Sequence, residues 1–144
     1  MKLLSRLWRK PELPRGCAVL LPILGYEGTR YAGIENEDGT VEVPGGTVEM
    51  GEKPRFAAFR ETLEEIGIAP WALRPIYDRE HVGKHGQRYH AFVFVGFPIE
   101  RAMWSVATPE PGKRLVALSR DDLTGPKGRY RDLMVEVFMH WITP

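Results

Sequence analysis

Three glutamates, Glu61, Glu64 and Glu65, stand at positions i, i+3 and i+4 of a segment that the sequence predicts to be helical. At this spacing the side chains share one face of a helix, where like charges cost about 0.2–0.5 kcal/mol per pair. Oxygen ligands grouped without His or Cys suit a hard cation, so we expect Mg²⁺ or Mn²⁺ between them. The alternative is a solvated acidic face paired with Arg or Lys, which is the commoner meaning of such a cluster.

The element that must carry these glutamates is a helix that begins at Pro54 and ends before Gly67. Proline is favoured at the first helical position, and glycine is favoured just past the end. On a helical wheel, four apolar side chains fall together, nearly opposite the glutamates: Phe56, Phe59, Leu63 and Ile66. The pattern therefore predicts one core face and one acidic face.

The glutamates belong to a longer pattern that starts at Gly46. Five residues separate Gly46 from Glu52, seven more separate Glu52 from Arg60, and RETLEEIGI follows to position 68. This segment resembles the Nudix box, GX5EX7REUXEEXGU, where U is a bulky aliphatic residue. All seven specified polar or glycine positions match. Only Thr62 departs, at a usually aliphatic position, which we interpret as a packing variation. The full pattern outweighs the solvated acidic face.

The resemblance to the Nudix family implies an α/β fold, an α/β/α sandwich in which the box forms a loop, a helix and a loop over a mixed β-sheet. The predicted elements are compatible with it: strands at 16–24, 29–34, 41–43, 71–79, 88–97 and 115–118, and a closing amphipathic helix at 132–141. We expect the Nudix domain to span residues 15–144, after a basic tail or short helix at 1–14.

The resemblance also implies the chemistry of Mg²⁺-dependent pyrophosphohydrolases, which cleave a nucleoside diphosphate linked to another group. Mn²⁺ is an expected substitute for Mg²⁺. By position, the implied metal ligands are Glu61, Glu64, Glu65 and the backbone carbonyl of Gly45. The implied catalytic set is Glu61, Glu64 and Glu65 together with the supporting pair Arg60 and Glu52. Arg60 is expected to orient an acid, and Glu52 to contribute near the metals.

The general base is left open by the sequence. Either Glu61 or an acid in a loop beyond the box can accept a proton from the attacking water. The loop candidates are Glu80, Glu100 and Glu110, with Glu100 slightly ahead. Each has the ordinary alternative of a solvated surface acid.

Three basic residues, Arg30, Lys84 and Arg88, are candidates for binding the substrate's phosphates. Lys84 and Arg88 lie in the segment HVGKHGQR, for which a charged hairpin tip is the simpler explanation. The extra tyrosine or proline that marks dinucleoside polyphosphate or ADP-ribose hydrolases in parts of the family is not found.

We therefore favour a nucleoside triphosphate, including oxidised or non-standard ones, hydrolysed to the monophosphate and pyrophosphate. The alternatives are an RNA 5′-end pyrophosphohydrolase and a Nudix module that senses a nucleotide without cleaving it.

The composition excludes several other classes of protein. With 144 residues, 20 of them basic and 19 acidic, the chain predicts one domain and no stable nucleic-acid partner. The longest apolar run, at 17–24, contains Pro22 and is too short to cross a membrane. The single cysteine, Cys17, cannot form an internal disulfide, which favours the cytoplasm. The family includes monomers and homodimers, and both remain open.

Overall fold

The computed structural model describes residues 12–140, so most of the predicted basic segment at 1–14 lies outside the described residues. The strands in this range are β1 (Arg15–Leu20), β2 (Pro22–Ile23), β3 (Arg30–Glu35), β4 (Val41–Glu42), β5 (Gly45–Thr47), β6 (Arg74–Val82), β7 (Arg88–Val95) and β8 (Arg114–Leu118). The helices are α1 (Pro54–Ile66), α2 (Arg101–Ser105), α3 (Arg120–Thr124) and α4 (Arg131–His140).

The strands form two four-stranded sheets. The first has the order β5-β1-β7-β6 and is mixed, because β1 runs parallel to β7 and antiparallel to β5. In the second sheet β3 pairs antiparallel with β2, β4 and β8. The strand β5 lies at an edge of the first sheet, where Gly46 pairs with Cys17 and Gly45 with Ala18.

Successive residues of β1 point to opposite faces of the sheet and join two separate cores. Cys17 and Val19 pack in the core that contains residues of α1, whereas Ala18 and Leu20 pack in the core that contains residues of α4. Burial on both faces is typical of a parallel pair covered by helices. The predicted α/β sandwich with a mixed sheet is confirmed.

The predicted core face of α1 was wrong. Its side chains Phe56, Phe59 and Leu63 are 65%, 39% and 45% exposed, and of the four predicted only Ile66 is buried. The other buried residues of the helix are Ala57, Ala58, Thr62 and Glu65. The helical wheel assigns the core face to the most hydrophobic side chains. The helix instead buries its small side chains, because these let its backbone approach the sheet closely.

Thr62 is fully buried on this packed face, and its hydroxyl donates to the carbonyl of Ala58 at 2.7 Å. A buried hydroxyl with a partner carries little penalty. The interpretation of Thr62 as a packing variation is therefore consistent with its position.

Some elements were not predicted from the sequence. The strand β5 consists largely of glycine, which has a low preference for strands, and α2 and α3 are only five residues long. The first predicted strand is divided at Leu21 into β1 and β2. Each of these features depends on pairing or packing with distant parts of the chain.

Candidate active site

The helix α1 begins and ends where the sequence predicts. Pro54 occupies its first position, and Gly67 follows it with a left-handed φ of 71°. The N–H of Gly67 donates to the carbonyl of Leu63 at 3.0 Å, which completes the last turn. The three glutamates of the box consequently lie in the last two turns of α1, and α1 packs against β5 and β1.

Glu65 is buried and contacts the paired glycines of β5. The N–H of Gly45 donates to Oε2 of Glu65 at 2.9 Å. Burial raises the pKa of Glu65 to about 8, and the nearby charge of Glu61 adds to this, although the hydrogen bond from Gly45 opposes it. The site therefore holds a carboxyl group whose ionised form needs a cation close by.

Glu61, one turn earlier, lies directly against Gly46. A Cβ atom on Gly46 would stand 2.6 Å from both Cδ and Oε1 of Glu61. Burial raises the pKa of Glu61, and the Arg60 guanidinium beside it opposes this only in part. Any larger residue at position 46 would therefore displace Glu61, whereas glycine leaves room for it.

Arg60 joins the other acidic residues of the box. Its Nε and Nη2 donate to the two carboxylate oxygens of Glu52 at 2.9 and 3.0 Å. Its Nη1 donates to Oε1 of Glu61 at 2.9 Å and to Oε2 of Glu64 at 3.4 Å. The guanidinium also donates to the carbonyl of Thr47 at 3.2 Å, so it ties α1 to the end of β5.

Glu52 is held in its ionised form by this pairing. The two hydrogen bonds from Arg60, with a third from the N–H of Glu49, lower the pKa of Glu52 to about 2. Bidentate pairs of Arg with a carboxylate are the most directional ion pairs in proteins. Arg60 and Glu52 therefore form a fixed support that restrains Glu61.

The backbone carbonyl of Gly45 faces the same side as Glu65. The N–H of Val19 donates to the carbonyl of Pro44, which makes the next pair along, Ala18 with Gly45, a non-hydrogen-bonded pair. Both backbone groups of Gly45 then point away from β1, and its N–H is bound to Glu65. This orientation is what a carbonyl ligand beside Glu65 requires.

The donor chemistry fits a hard divalent cation, although the side chains are not preassembled around one. Within residues 12–140, no group of three or more His, Cys, Asp or Glu side chains has a ready metal-binding arrangement. Glu64, the half-exposed member, points to Arg60. Carboxylate and carbonyl oxygens nevertheless form the donor set that Mg²⁺ prefers.

A model of the NUDIX domain matches residues 29–131, well over half of the chain. The chain belongs to the NUDIX domain family. The resemblance of residues 46–68 to the Nudix box is thereby confirmed as a family relationship. Over 42 residues the chain is 48% identical to the 8-oxo-dGTP diphosphatase of Escherichia coli strain K12, a stretch that is 29% of this chain and 33% of that relative. The match thus spans about a third of the relative's length.

Solved structures share the fold across nearly the whole chain. The MutT NUDIX hydrolase from Burkholderia pseudomallei has a TM-score of 0.59 and 24% identity, covering 85% of this chain and 95% of that one. The MutT protein from Methanosarcina mazei Go1 has a TM-score of 0.66 and 17% identity, with 91% and 96% covered. The NUDIX domain of Shewanella oneidensis NrtR, complexed with ADP ribose, has a TM-score of 0.67 and 10% identity, with 96% and 97% covered.

Of the three loop acids, Glu110 lies nearest the Nudix box. Its N–H donates to the carbonyl of Glu65 at 3.2 Å, and its charge contributes to the raised pKa of Glu61. Glu80 is instead paired with Arg88, and Glu100 precedes α2. The structure thus places Glu110, rather than the slightly favoured Glu100, beside the glutamates.

A cleft of about 370 Å³ extends from the glycine strand of this Nudix domain. Gly45, Gly46 and Thr47 line one part of it, and Tyr89, Phe92 and Tyr130 provide aromatic walls. The exposed lining is mostly apolar, which suits the flat face of a base. The glycine strand is therefore shared between this cleft and the glutamates of α1.

The predicted phosphate-binding residues are dispersed. Arg88 lines the cleft but is paired with Glu80, while Lys84 lies in the turn between β6 and β7. Arg30 stands at the start of β3, where it pairs with Ile23, and does not line the cleft. The structure does not bring these three residues together.

Sequence reasoning missed Glu42, a buried carboxylate on β4. It accepts hydrogen bonds from Arg129 at 3.2 Å and from Asn36 at 3.1 Å, and its charge also raises the pKa of Glu65. A glutamate between two valines in a predicted strand was the available signal, because a charge on such a strand needs a partner.

Proposed function

We propose that this Nudix domain is a Mg²⁺-dependent pyrophosphohydrolase that cleaves a nucleoside triphosphate, ordinary or oxidised, to the monophosphate and pyrophosphate. The observation that carries the proposal is the contact of Glu61 and Glu65 with the paired glycines at one side of an apolar cleft. The name of the relative from Escherichia coli, an 8-oxo-dGTP diphosphatase, supports this class of substrate.

Glu61, Glu64, Glu65 and the Gly45 carbonyl would hold Mg²⁺, or Mn²⁺ in its place. When bound, the cation neutralises phosphate oxygens and lowers the pKa of water. Glu64 must give up its ion pair with Arg60 in order to bind the cation. The free-energy cost of this exchange is small, because the ion pair is long, at 3.4 Å, and the Glu64 side chain is 52% exposed.

The remaining steps belong to the side chains themselves. Glu61 is the proposed base, because burial raises its pKa while Arg60 holds one of its oxygens in place. Arg60 and Glu52 are positioning residues, since Arg60 contacts Glu61 and Glu52 holds Arg60 in place. Glu110 is the alternative base, beside the same helix.

The cleft would hold the nucleoside, with its base between aromatic walls and its phosphates directed to the glycine strand. Arg88, which lines the cleft, would bind a phosphate oxygen after exchanging its contact with Glu80. No helix among the described residues is long and apolar enough to cross a membrane. We propose a cytoplasmic location on the strength of Cys17, a buried thiol whose pKa burial raises to about 12.

The test is a panel of nucleotides incubated with Mg²⁺, with products identified by mass. We expect pyrophosphate and a monophosphate from the wild type, and loss of turnover when Glu64→Gln is combined with Glu65→Gln. Glu49→Gln is the matched control, because that glutamate lies in the same box and contributes only backbone groups to the contacts seen.

Full turnover by the double variant would refute the proposed site. Nucleotide binding without turnover in either Mg²⁺ or Mn²⁺ would refute the enzyme and support a sensing module. Faster turnover of 5′-triphosphorylated RNA than of any free nucleotide would instead support the RNA 5′-end alternative.

A further inference from the structure

A second cleft adjoins the first, between the turn that joins β6 to β7 and the segment that leads into α4. Its volume is about 410 Å³. Its lining is more polar than that of the first cleft and includes cationic side chains from both walls: Lys84 on one side, Arg129 and Arg131 on the other.

The cationic charge of this second cleft is only partly neutralised. Arg129 is paired with Glu42 at 3.2 Å. The Nε of Arg131 donates a hydrogen bond to the carbonyl of Thr124 at 3.0 Å. This bond holds the side chain in place but does not neutralise its charge. Asp132 is the one carboxylate among the residues that line the cleft, so the lining keeps a cationic excess that favours an anion.

The two clefts share part of their lining. Gln87, Tyr89, Tyr130 and Leu133 line both of them, whereas the paired glycines line only the first. A nucleoside in the first cleft, with its 5′-phosphates toward the glycines, would therefore have the second cleft on its far side. A group attached to the far side of that nucleoside would meet Lys84 and Arg131.

We propose that the second cleft binds a phosphoryl group on the 3′ side of the bound nucleoside, an inference that rests on the proposed function. With the 5′-phosphates committed to the glycine strand, the 3′-oxygen is the sugar atom that ordinarily carries a further phosphate. Arginine and lysine are the side chains suited to such a group. The same chemistry is offered by a free nucleotide with a 3′-phosphate and by the first phosphodiester of an RNA 5′ end.

The first test compares binding of a nucleoside 5′-monophosphate with its 3′,5′-bisphosphate, using adenosine and guanosine pairs and calorimetry on the full chain. We expect the bisphosphate to bind about tenfold more tightly, in line with one added charge-assisted contact. Lys84→Gln and Arg131→Gln should each reduce that ratio about fivefold. Both side chains are exposed, and a melting curve for each variant verifies that it is folded.

Lys127→Gln is the matched control, because Lys127 lies in the same loop as Arg129 but does not line the cleft. Its ratio should equal that of the wild type. Equal affinities for the two nucleotides, or an unchanged ratio in both cleft variants, would overturn the inference.

A second arm distinguishes the two sources of the phosphate. It uses a 5′-triphosphorylated dinucleotide and a 3′-phosphorylated nucleoside triphosphate, each followed for release of pyrophosphate. Faster release of pyrophosphate from one of these substrates than from the plain nucleoside triphosphate supports the inference and identifies the source of the phosphate. This difference in rate should be lost in Arg131→Gln. Turnover of plain triphosphates with no 3′ preference would overturn this inference alone, while absence of all turnover with Mg²⁺ would refute the proposed function.

Discussion

The substitution Glu65→Gln removes one ionisable group from beneath the glycine strand and keeps an oxygen for the N–H of Gly45. In the wild type, burial raises the pKa of Glu65 from 4.5 to about 8. Between these two pH values the folded chain holds a proton that the unfolded chain has lost. The free energy of unfolding therefore falls as pH rises through this range.

The size of the effect follows from the two pKa values. Each unit of difference in pKa between the folded and unfolded chain corresponds to about 1.4 kcal/mol. The free energy of unfolding of the wild type therefore falls by about 3–5 kcal/mol between pH 4.5 and pH 8. The glutamine variant does not titrate and escapes this loss. We expect it to be more stable than the wild type at pH 8 without metal, and the difference to shrink toward pH 5.

Urea unfolding in a chelator, followed by tryptophan fluorescence at pH 5 and pH 8, measures this difference. Adding Mg²⁺ at ten times its dissociation constant should then stabilise the wild type by about 1.4 kcal/mol and the variant by less. Glu49→Gln serves as the control, because the side chain of Glu49 is exposed and only its backbone takes part in the contacts seen. A Glu65→Gln variant less stable than the wild type at pH 8 without metal would refute the argument from burial.

Three further substitutions test the rest of the site and the packing of α1. Arg60→Lys loses the paired bonds to Glu52, and we expect kcat to fall about 10- to 100-fold in a pyrophosphate-release assay, with folding retained. Gly46→Ala brings a methyl group to 2.6 Å from the Glu61 carboxylate, so Mg²⁺ affinity measured by calorimetry should fall at least about tenfold. The side chain of Phe56 is 65% exposed, so Phe56→Ser should change the free energy of unfolding in urea by no more than about 0.5 kcal/mol. A loss of several kcal/mol would show that Phe56 belongs to the core face, as the sequence predicted.

The limits of α1 and the order of its acidic residues could be predicted because they depend on neighbouring residues. Pro54 and Gly67 act through their own backbone preferences, and helical spacing places Glu61 and Glu65 one turn apart whatever lies nearby. The family pattern also indicated Arg60 and Glu52 as a pair, and their hydrogen bonds are present in the structure.

The packed face of α1 could not be predicted in the same way. The sequence shows which side chains are apolar, but not that Ala57 and Ala58 would face the sheet while Phe56 and Phe59 face outward. That choice depends on how closely the helix approaches β1 and β5. The close approach brings Glu65 to Gly45 and Glu61 to Gly46.

The sequence by itself determined the local features of this protein: a helix of known limits, the spacing of its carboxylates and membership in a family. Only the tertiary structure decided that Glu110 and Glu42 influence the pKa values of those carboxylates, and that two clefts meet at Tyr89 and Tyr130. Electrostatic influence and cavity shape depend on distances between residues far apart in the chain. Those distances are fixed by strand pairing and core packing, which local sequence patterns do not encode.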